Sequence, residues 1–363
     1  MKLNQNDMKN LGLTEQLFQE SKLYSNLFIG RVSSQSKNLY KVMTESGEIT
    51  AQVSGKFHFH TQDFSHFPAV GDFVMVDRTD NTKGNGVIHH VLPRKSVFAR
   101  KAAGSKDDVQ VVAANIDTVF ICMALNNDYN LRRLERYLSI AWDSGAMPVV
   151  VLTKSDLCND IESKVYEISS IAFGVDVHVT SSTSEEGVES LKKYLGNGQT
   201  VAFIGSSGVG KSTLINRLLG RNLLDTGETR KDDKGRHTTT RRELIIFPDS
   251  GVVIDTPGMR ELRIMHADLS KTFVDIEELA AECKFNDCTH TNESDCAVQR
   301  EIQAGTLSAD RLESYRKLLK EKKYEGLNSK MIEREKLNAM FKEMGGMKSA
   351  KKFLNNQKRK KRR

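Results

Sequence analysis

The sequence predicts a multidomain protein. A small all-β barrel comes first, then an α/β unit with a parallel, doubly wound sheet, then a mostly helical region with a basic tail. Three observations carry this prediction. Five short strand-like runs lie between residues 27 and 93. Strands and helices then alternate from 117 to 219. A Cys/His cluster follows at 283–296, and the chain closes on Lys358-Arg-Lys-Lys-Arg-Arg363. At 363 residues, two or three domains are expected.

Residues 1–24 are polar and mixed, and read as a short helix or loose arm. The barrel runs are 27–32, 39–44, 48–54, 73–78 and 86–93. Glu45-Ser-Gly47, Gly71-Asp72 and the stretch from Asp80 to Gly86 supply turns between them. Five short strands suggest an OB-type barrel, a fold that often binds oligonucleotides. Phe57, Phe59, Phe64 and Phe67 alternate with His58, His60 and His66 in the longest connection. Two readings stay open there: stacking on bases, or a loop that plugs the barrel end. Residues 94–115 read as a basic-to-polar connection.

The α/β unit begins with a strand at 117–125. A helix at 131–142, a strand at 147–152, a helix at 161–171, a strand at 175–180 and a helix at 187–195 follow. The run Val201-Ala-Phe-Ile204 is a buried strand leading into Gly205-Ser-Ser-Gly-Val-Gly-Lys-Ser-Thr213, which fits G-x-x-x-x-G-K-[ST]. Glycines let backbone N–H groups face a phosphate, and the helix that follows points its positive end at the same place. Gly205, Ser206, Ser207, Gly208, Val209, Gly210, Lys211, Ser212 and Thr213 are therefore candidate nucleotide contacts. Lys211 reaches the β- and γ-phosphates, and Ser212 places its hydroxyl on Mg²⁺.

Further signals fall at strand ends, where such sheets bind ligands. Thr153-Lys154-Ser155-Asp156 resembles the guanine-reading Asn-Lys-x-Asp tetrad, since a carboxylate can accept both N1–H and N2–H of guanine. Ser181-Ser182 follows one unit later. Residues 221–240 read as a mobile loop, and Thr239, within the run 238–240, is the expected Mg²⁺ ligand. Strands at 242–247 and 251–254 lead to Asp255-Thr-Pro-Gly258, which gives a carboxylate for Mg²⁺ and a Gly258 N–H for the γ-phosphate. In ordinary GTPases the base-reading motifs come last. Here they precede the phosphate loop, so the order is circularly permuted, and 183–200 joins the ordinary termini.

Residues 266–325 read as mainly helical around Cys283-x4-Cys288-x-His290-x5-Cys296, a Cys₃His spacing that suits one closed, structural zinc ion. Cys122 and Cys158 read as small core residues. The five cysteines form an odd set, which argues against a disulfide framework. From Asp310 onward Lys and Arg outnumber Asp and Glu 19 to 7, while the whole chain carries +7. The basic surplus is thus C-terminal and points to a polyanion, most often nucleic acid. The last stretch is expected to be disordered. No apolar run approaches a membrane span and the N-terminus is polar, so a cytoplasmic protein without membrane contact is expected.

Taken together, Thr153 to Asp156, Gly205 to Thr213, Gly235 to Thr240, Asp255 to Gly258 and the cysteine cluster resemble the RsgA family, bacterial GTPases of small ribosomal subunit assembly. The resemblance covers about residues 25–300. It implies slow GTP hydrolysis stimulated by the small subunit, contact with 16S rRNA, a late role in subunit maturation, and help in releasing another assembly factor. It suggests a monomer off the ribosome. The residue after Asp-x-x-Gly is Met259, which cannot position water, so the isolated protein should be slow. His237 is the candidate for that role, alongside Lys211 and Thr239 as catalytic groups. One departure is Thr153 for the usual Asn, which removes an amide that braces the phosphate loop and predicts modest affinity. The expected division is an arm at 1–24, the barrel at 25–97, the permuted GTPase at 98–265, a zinc-binding helical domain at 266–340 and a tail at 341–363. A second function class is an rRNA-binding chaperone in which GTP is mainly a structural ligand. An ATP-dependent nucleic-acid enzyme is disfavoured by Asp156.

Overall fold

The computed structural model describes residues 5–36, 38–60, 64–101, 109–181, 184, 187–224, 243–247, 251–255, 269–323, 331 and 334. The chain opens with α1 (Gln5–Asn10) and α2 (Glu15–Ser21), and the Thr14 hydroxyl caps α2 by accepting from the Leu17 N–H at 3.3 Å. This segment is not a loose arm. Met8, Leu11 and Leu13 are buried in one cluster with Val70 and Phe73 of the barrel region and Val252 and Ile254 of the α/β sheet. Gly198, at φ +74°, allows the approach, because a Cβ there would stand 2.2 Å from the Lys9 carbonyl oxygen.

The barrel comprises β1 (Phe28–Ser36), β2 (Leu39–Thr44), β3 (Gly47–Val53), β4 (Phe73–Val76) and β5 (Gly86–Val91). It closes in the order β1-β2-β3-β5-β4-β1, with β3 and β5 parallel and the other pairs antiparallel. Alternation dictates which side chains fill it. Val32, Tyr40, Val42, Ile49, Ala51, Val74, Val76 and Ile88 form its buried core. Between β3 and β4 the aromatic stretch forms α3 (Gly55–His60) and a 3-10 turn at Phe64–His66 rather than an irregular loop. Phe57 packs edge-on against Phe67 at 5.8 Å, whereas Phe59 is 82% exposed.

Residues 94–115, read from the sequence as a connection, contain a hairpin of β6 (Val97–Lys101) and β7 (Val109–Ala114). Phe98, Ala99 and the run Val111 to Ala114 bury it. Beyond it, β8 (Thr118–Ala124), α4 (Leu131–Ser144), β9 (Met147–Thr153), α5 (Ile161–Ser169), β10 (Val177–Val179), β11 (Gln199–Ile204) and α6 (Lys211–Leu219) form the α/β unit. It is completed by β12 (Glu243–Phe247) and β13 (Gly251–Asp255). Side-chain caps set the helix starts: Asn130 accepts from the Arg133 N–H at 2.9 Å and Asp160 from the Ser163 N–H at 3.1 Å. The expected helix at 187–195 is a 3-10 turn, Glu189–Tyr194.

The sheet order is β10-β9-β8-β11-β13-β12, all parallel except β12. From β8 the chain runs outward to β9 and β10, then returns to the other side of β8 as β11. The crevice for a ligand therefore lies at the β8/β11 strand ends. An extra residue in β1 between Val32 and Ser34 bends that strand out of the barrel, and Ser34 pairs with Glu243 of β12. Among the described residues, eleven strands thus join in one sheet.

Arg31 sits at the junction. Fully buried over the Phe73 ring at 5.1 Å, it donates to the carbonyls of Leu11, of Gly71 (3.1 Å) and of Asn115 (3.3 Å), and burial lowers its pKa to about 10. The C-terminal region holds α7 (Val274–Ala281), α8 (Ala297–Ala304) and α9 (Ala309–Lys323), with α7 packed on α8 and α9 on α4. The tail at 341–363 lies outside the described residues.

Candidate nucleotide site and metal centre

The loop after β11 is built from glycines in conformations that other residues avoid: Gly205 at φ +146°, Gly208 at +76° and Gly210 at +95°. A Cβ on Gly205 would lie 2.3 Å from the Cys122 carbonyl oxygen, so only glycine lets the loop close on β8. Cys122 itself is buried, and burial raises its thiol to about 12, which makes it inert. The Lys211 ammonium arches back over the loop and donates to the carbonyls of Gly205 at 2.9 Å and Ser206 at 2.6 Å. Ser206, Ser207, Ser212 and Thr213 are half-buried around it, and Val209 is buried beneath.

The base-reading candidates stand at the end of β9. Lys154 takes a left-handed backbone, φ +57°, a conformation uncommon for a side-chain-bearing residue. Ser155 is buried, with its N–H on the Thr180 carbonyl at 3.2 Å. Asp156 Oδ1 accepts from Ser181 Oγ at 2.7 Å. Thr153 differs from the sequence expectation. Its hydroxyl donates to the Val209 carbonyl at 2.5 Å, inside the phosphate loop, so this chain keeps a brace between base-reading strand and loop. The Thr153 side chain is buried, and a Cβ placed on Gly210 would lie 4.0 Å from its Cβ.

Asp255 ends β13 and pairs in register with Glu243. The structure thus brings Thr153 to Asp156, Ser181, Gly205 to Thr213 and Asp255 to the strand ends of one sheet. Ser182, His237, Thr239 and Gly258 lie outside the described residues, as does the expected mobile loop from residue 225 on.

Cys283, Cys288, His290 and Cys296 converge. Their ligand atoms all lie within 4.8 Å of one another. Cys283 Sγ is 3.8 Å from Cys296 Sγ, and His290 Nδ1 is 3.6 Å and 3.5 Å from those two sulfurs. A tetrahedral ion with metal–sulfur bonds of about 2.3 Å separates two sulfurs by about 3.8 Å, so the spacing fits a metal centre. The loop is knotted by Glu293, which accepts from the Thr289 N–H at 2.9 Å and the Thr291 N–H at 2.7 Å.

Two groups escaped the sequence reading. Arg217 of α6 donates to the Ser181 carbonyl at 2.9 Å and to that of Ser184. Arg311 of α9 grips Asp275 with two 2.7 Å bonds and donates to Glu135 of α4 at 2.9 Å. Burial pushes the Glu135 carboxyl up, against the pull of Ser314, Arg132 and Arg311. Neither arginine belongs to a motif. Their partners lie 36 and 176 positions away, which no local pattern reveals.

Comparison with known proteins follows the same lines. A family profile described as RsgA GTPase matches residues 91–265. A second, ABC transporter, matches 188–358, and its overlap with the first contains the phosphate-loop strand and helix, a unit common to nucleotide-binding proteins. The small ribosomal subunit biogenesis GTPase RsgA 2 of Lactiplantibacillus plantarum is 51% identical over 314 residues, 86% of this chain and 88% of its own. RsgA 1 of Listeria innocua is 44% identical over 310 residues, 85% of this chain and 87% of its own. Among solved structures, YjeQ from Thermotoga maritima is 29% identical with a TM-score of 0.60, over 81% of this chain and 98% of that one. YloQ, described as a circularly permuted GTPase, shares the fold at 23% identity and a TM-score of 0.58, over 82% of this chain and 95% of its own.

Proposed function

The chain belongs to the RsgA family, and from that premise we propose that it is a ribosome-associated GTP hydrolase acting in late maturation of the small ribosomal subunit. The observation that carries this reading is the joining of the Asp156–Ser181 pair to a phosphate loop at the sheet's switch point. Asp156 selects guanine. The loop N–H groups, Lys211 and the α6 N-terminus hold the phosphates. Ser212, Asp255 and Thr239 would hold Mg²⁺, which supplies charge neutralisation between the β- and γ-phosphates when bound. Gly258 offers its N–H to the γ-phosphate. His237 positions the attacking water in place of the glutamine that Met259 displaces, so turnover is slow in the isolated protein and is stimulated by the subunit.

The Cys₃His centre takes zinc in our reading, because four such donors with no open position make a closed structural site. It holds the C-terminal helices together. The barrel contacts 16S rRNA, with exposed Phe59 as a base-stacking side chain, and the basic tail adds phosphate contacts. The division at 24/25, 97/98, 265/266 and 340/341 belongs to the same reading. So do a monomeric, cytoplasmic protein and a role in releasing another assembly factor. Among the described residues no helix is long and apolar enough to cross a membrane.

Multiple-turnover hydrolysis, measured for the protein alone and with purified 30S subunits, tests the proposal. Stimulation by 30S is expected. Equal rates would favour a chaperone in which GTP is a structural ligand.

A further inference from the structure

We propose that Arg217 is a positioning residue for guanine recognition, holding the base-reading carboxylate in register with the phosphate loop. Arg217 sits on α6, whose first residue is Lys211. Six residues at 1.5 Å each put the two side chains about 9 Å apart along one rigid helix. Lys211 marks the phosphate end of the site. From the other end a single nitrogen of Arg217, Nη1, donates to two main-chain carbonyls, those of Ser181 and Ser184. Ser181 is buried, and its hydroxyl holds Asp156 Oδ1 at 2.7 Å. The line from helix to base reader is therefore α6, Arg217, the Ser181 main chain, the Ser181 hydroxyl and the Asp156 carboxylate.

The permuted order gives this clamp its purpose. Among the described residues between Ser181 and β11 the regular element is the short 3-10 turn Glu189–Tyr194, so the segment behind Ser181 takes an anchor from outside itself. Arg217 supplies that anchor from the helix that also carries the phosphate lysine. The two N–H bonds of Nη1 are held in the guanidinium plane and so meet the two carbonyls in a fixed geometry, whereas a lysine ammonium is a rotating, strongly hydrated point charge.

This inference rests on Asp156 as the guanine reader, and its test separates the two claims. Guanine presents N1–H and N2–H to the carboxylate, whereas hypoxanthine presents only N1–H. The ratio of GDP to IDP affinity therefore reads the placement of Asp156. Binding of both nucleotides to the full-length protein is measured by calorimetry for the parent, Arg217→Met and Arg217→Lys. Loss of one charge-assisted contact is worth about tenfold or more. GDP affinity should fall by about that factor in Arg217→Met, and IDP affinity by much less, so the ratio shrinks. Arg217→Lys keeps the charge and packing and should lie between. A parental GDP/IDP ratio in both variants, with or without a uniform loss of affinity, overturns the proposal, because a merely structural tie would weaken both nucleotides alike. Should Arg217→Met not fold, a parental ratio in Arg217→Lys alone overturns it. Asp156→Asn is the control. If it fails to shift preference from GDP to xanthosine diphosphate, the base-site assignment itself fails. If it shifts while the Arg217 variants keep the parental ratio, only the role of Arg217 falls.

Discussion

Thr153 shows how one hydroxyl can stand in for an amide. The usual asparagine offers two donors and an acceptor, and threonine offers one donor with a stiff, β-branched stem. In this chain that donor goes to the Val209 carbonyl, and the stem faces Gly210. Thr153→Val keeps the shape and strands the buried carbonyl, at a cost of about 1–3 kcal/mol. Titration with a fluorescent GDP or GTP analogue should show both nucleotides weakened together, with guanine preference kept. Unchanged affinity would remove the brace from the account. The tetrad was legible in the sequence because a strand end carried it. The bond was not, since the side-chain type alone does not say which carbonyl lies within reach.

Two of the junctions between elements lie in the C-terminal region. Arg311, Glu135 and Asp275 join α9, α4 and α7, with Arg311 and Glu135 side chains 4% and 0% exposed. Removing Arg311 leaves the buried Glu135 carboxyl with Arg132 as its remaining ion-pair partner and takes the arginine from Asp275. Arg311→Ala should therefore cost about 1–3 kcal/mol, visible as a lowered midpoint in thermal unfolding. A midpoint within a degree of the parent would show that the junction carries no stability. The metal centre is the second junction. Titration with a chromogenic chelator should release one zinc per chain and expose the C-terminal helices to protease, while GDP binding survives. Release of no metal would remove zinc from the account. Most elements were legible through their periodicity: the alternation at 39–44 and the four-residue spacing of Leu134 and Leu138 both survive in the fold. The hairpin β6–β7 was not. Its apolar runs are short, and polar Gly104-Ser-Lys-Asp-Asp108 separates them, so composition imitates a linker.

Across the molecule, connectivity decides what the barrel can report. Ser34 of the barrel pairs with Glu243, and Glu243 pairs with Asp255. One row of backbone pairing thus runs from the barrel to the carboxylate at the strand end. Arg31 ties the same barrel to the N-terminal segment and to Asn115. Neither link could be foreseen, since each depends on contacts between segments that share no pattern. The motif order, by contrast, was plain in the sequence, because each motif is short, local and tied to a strand end. The nucleotide is therefore expected to set how the whole molecule holds the small subunit. Sedimentation of the protein with 30S and 50S subunits, in GDP or in a non-hydrolysable GTP analogue, measures this. Binding to 30S alone, tighter with the analogue than with GDP, is the predicted result, and equal binding in the two nucleotide states, or a preference for 50S, would contradict it.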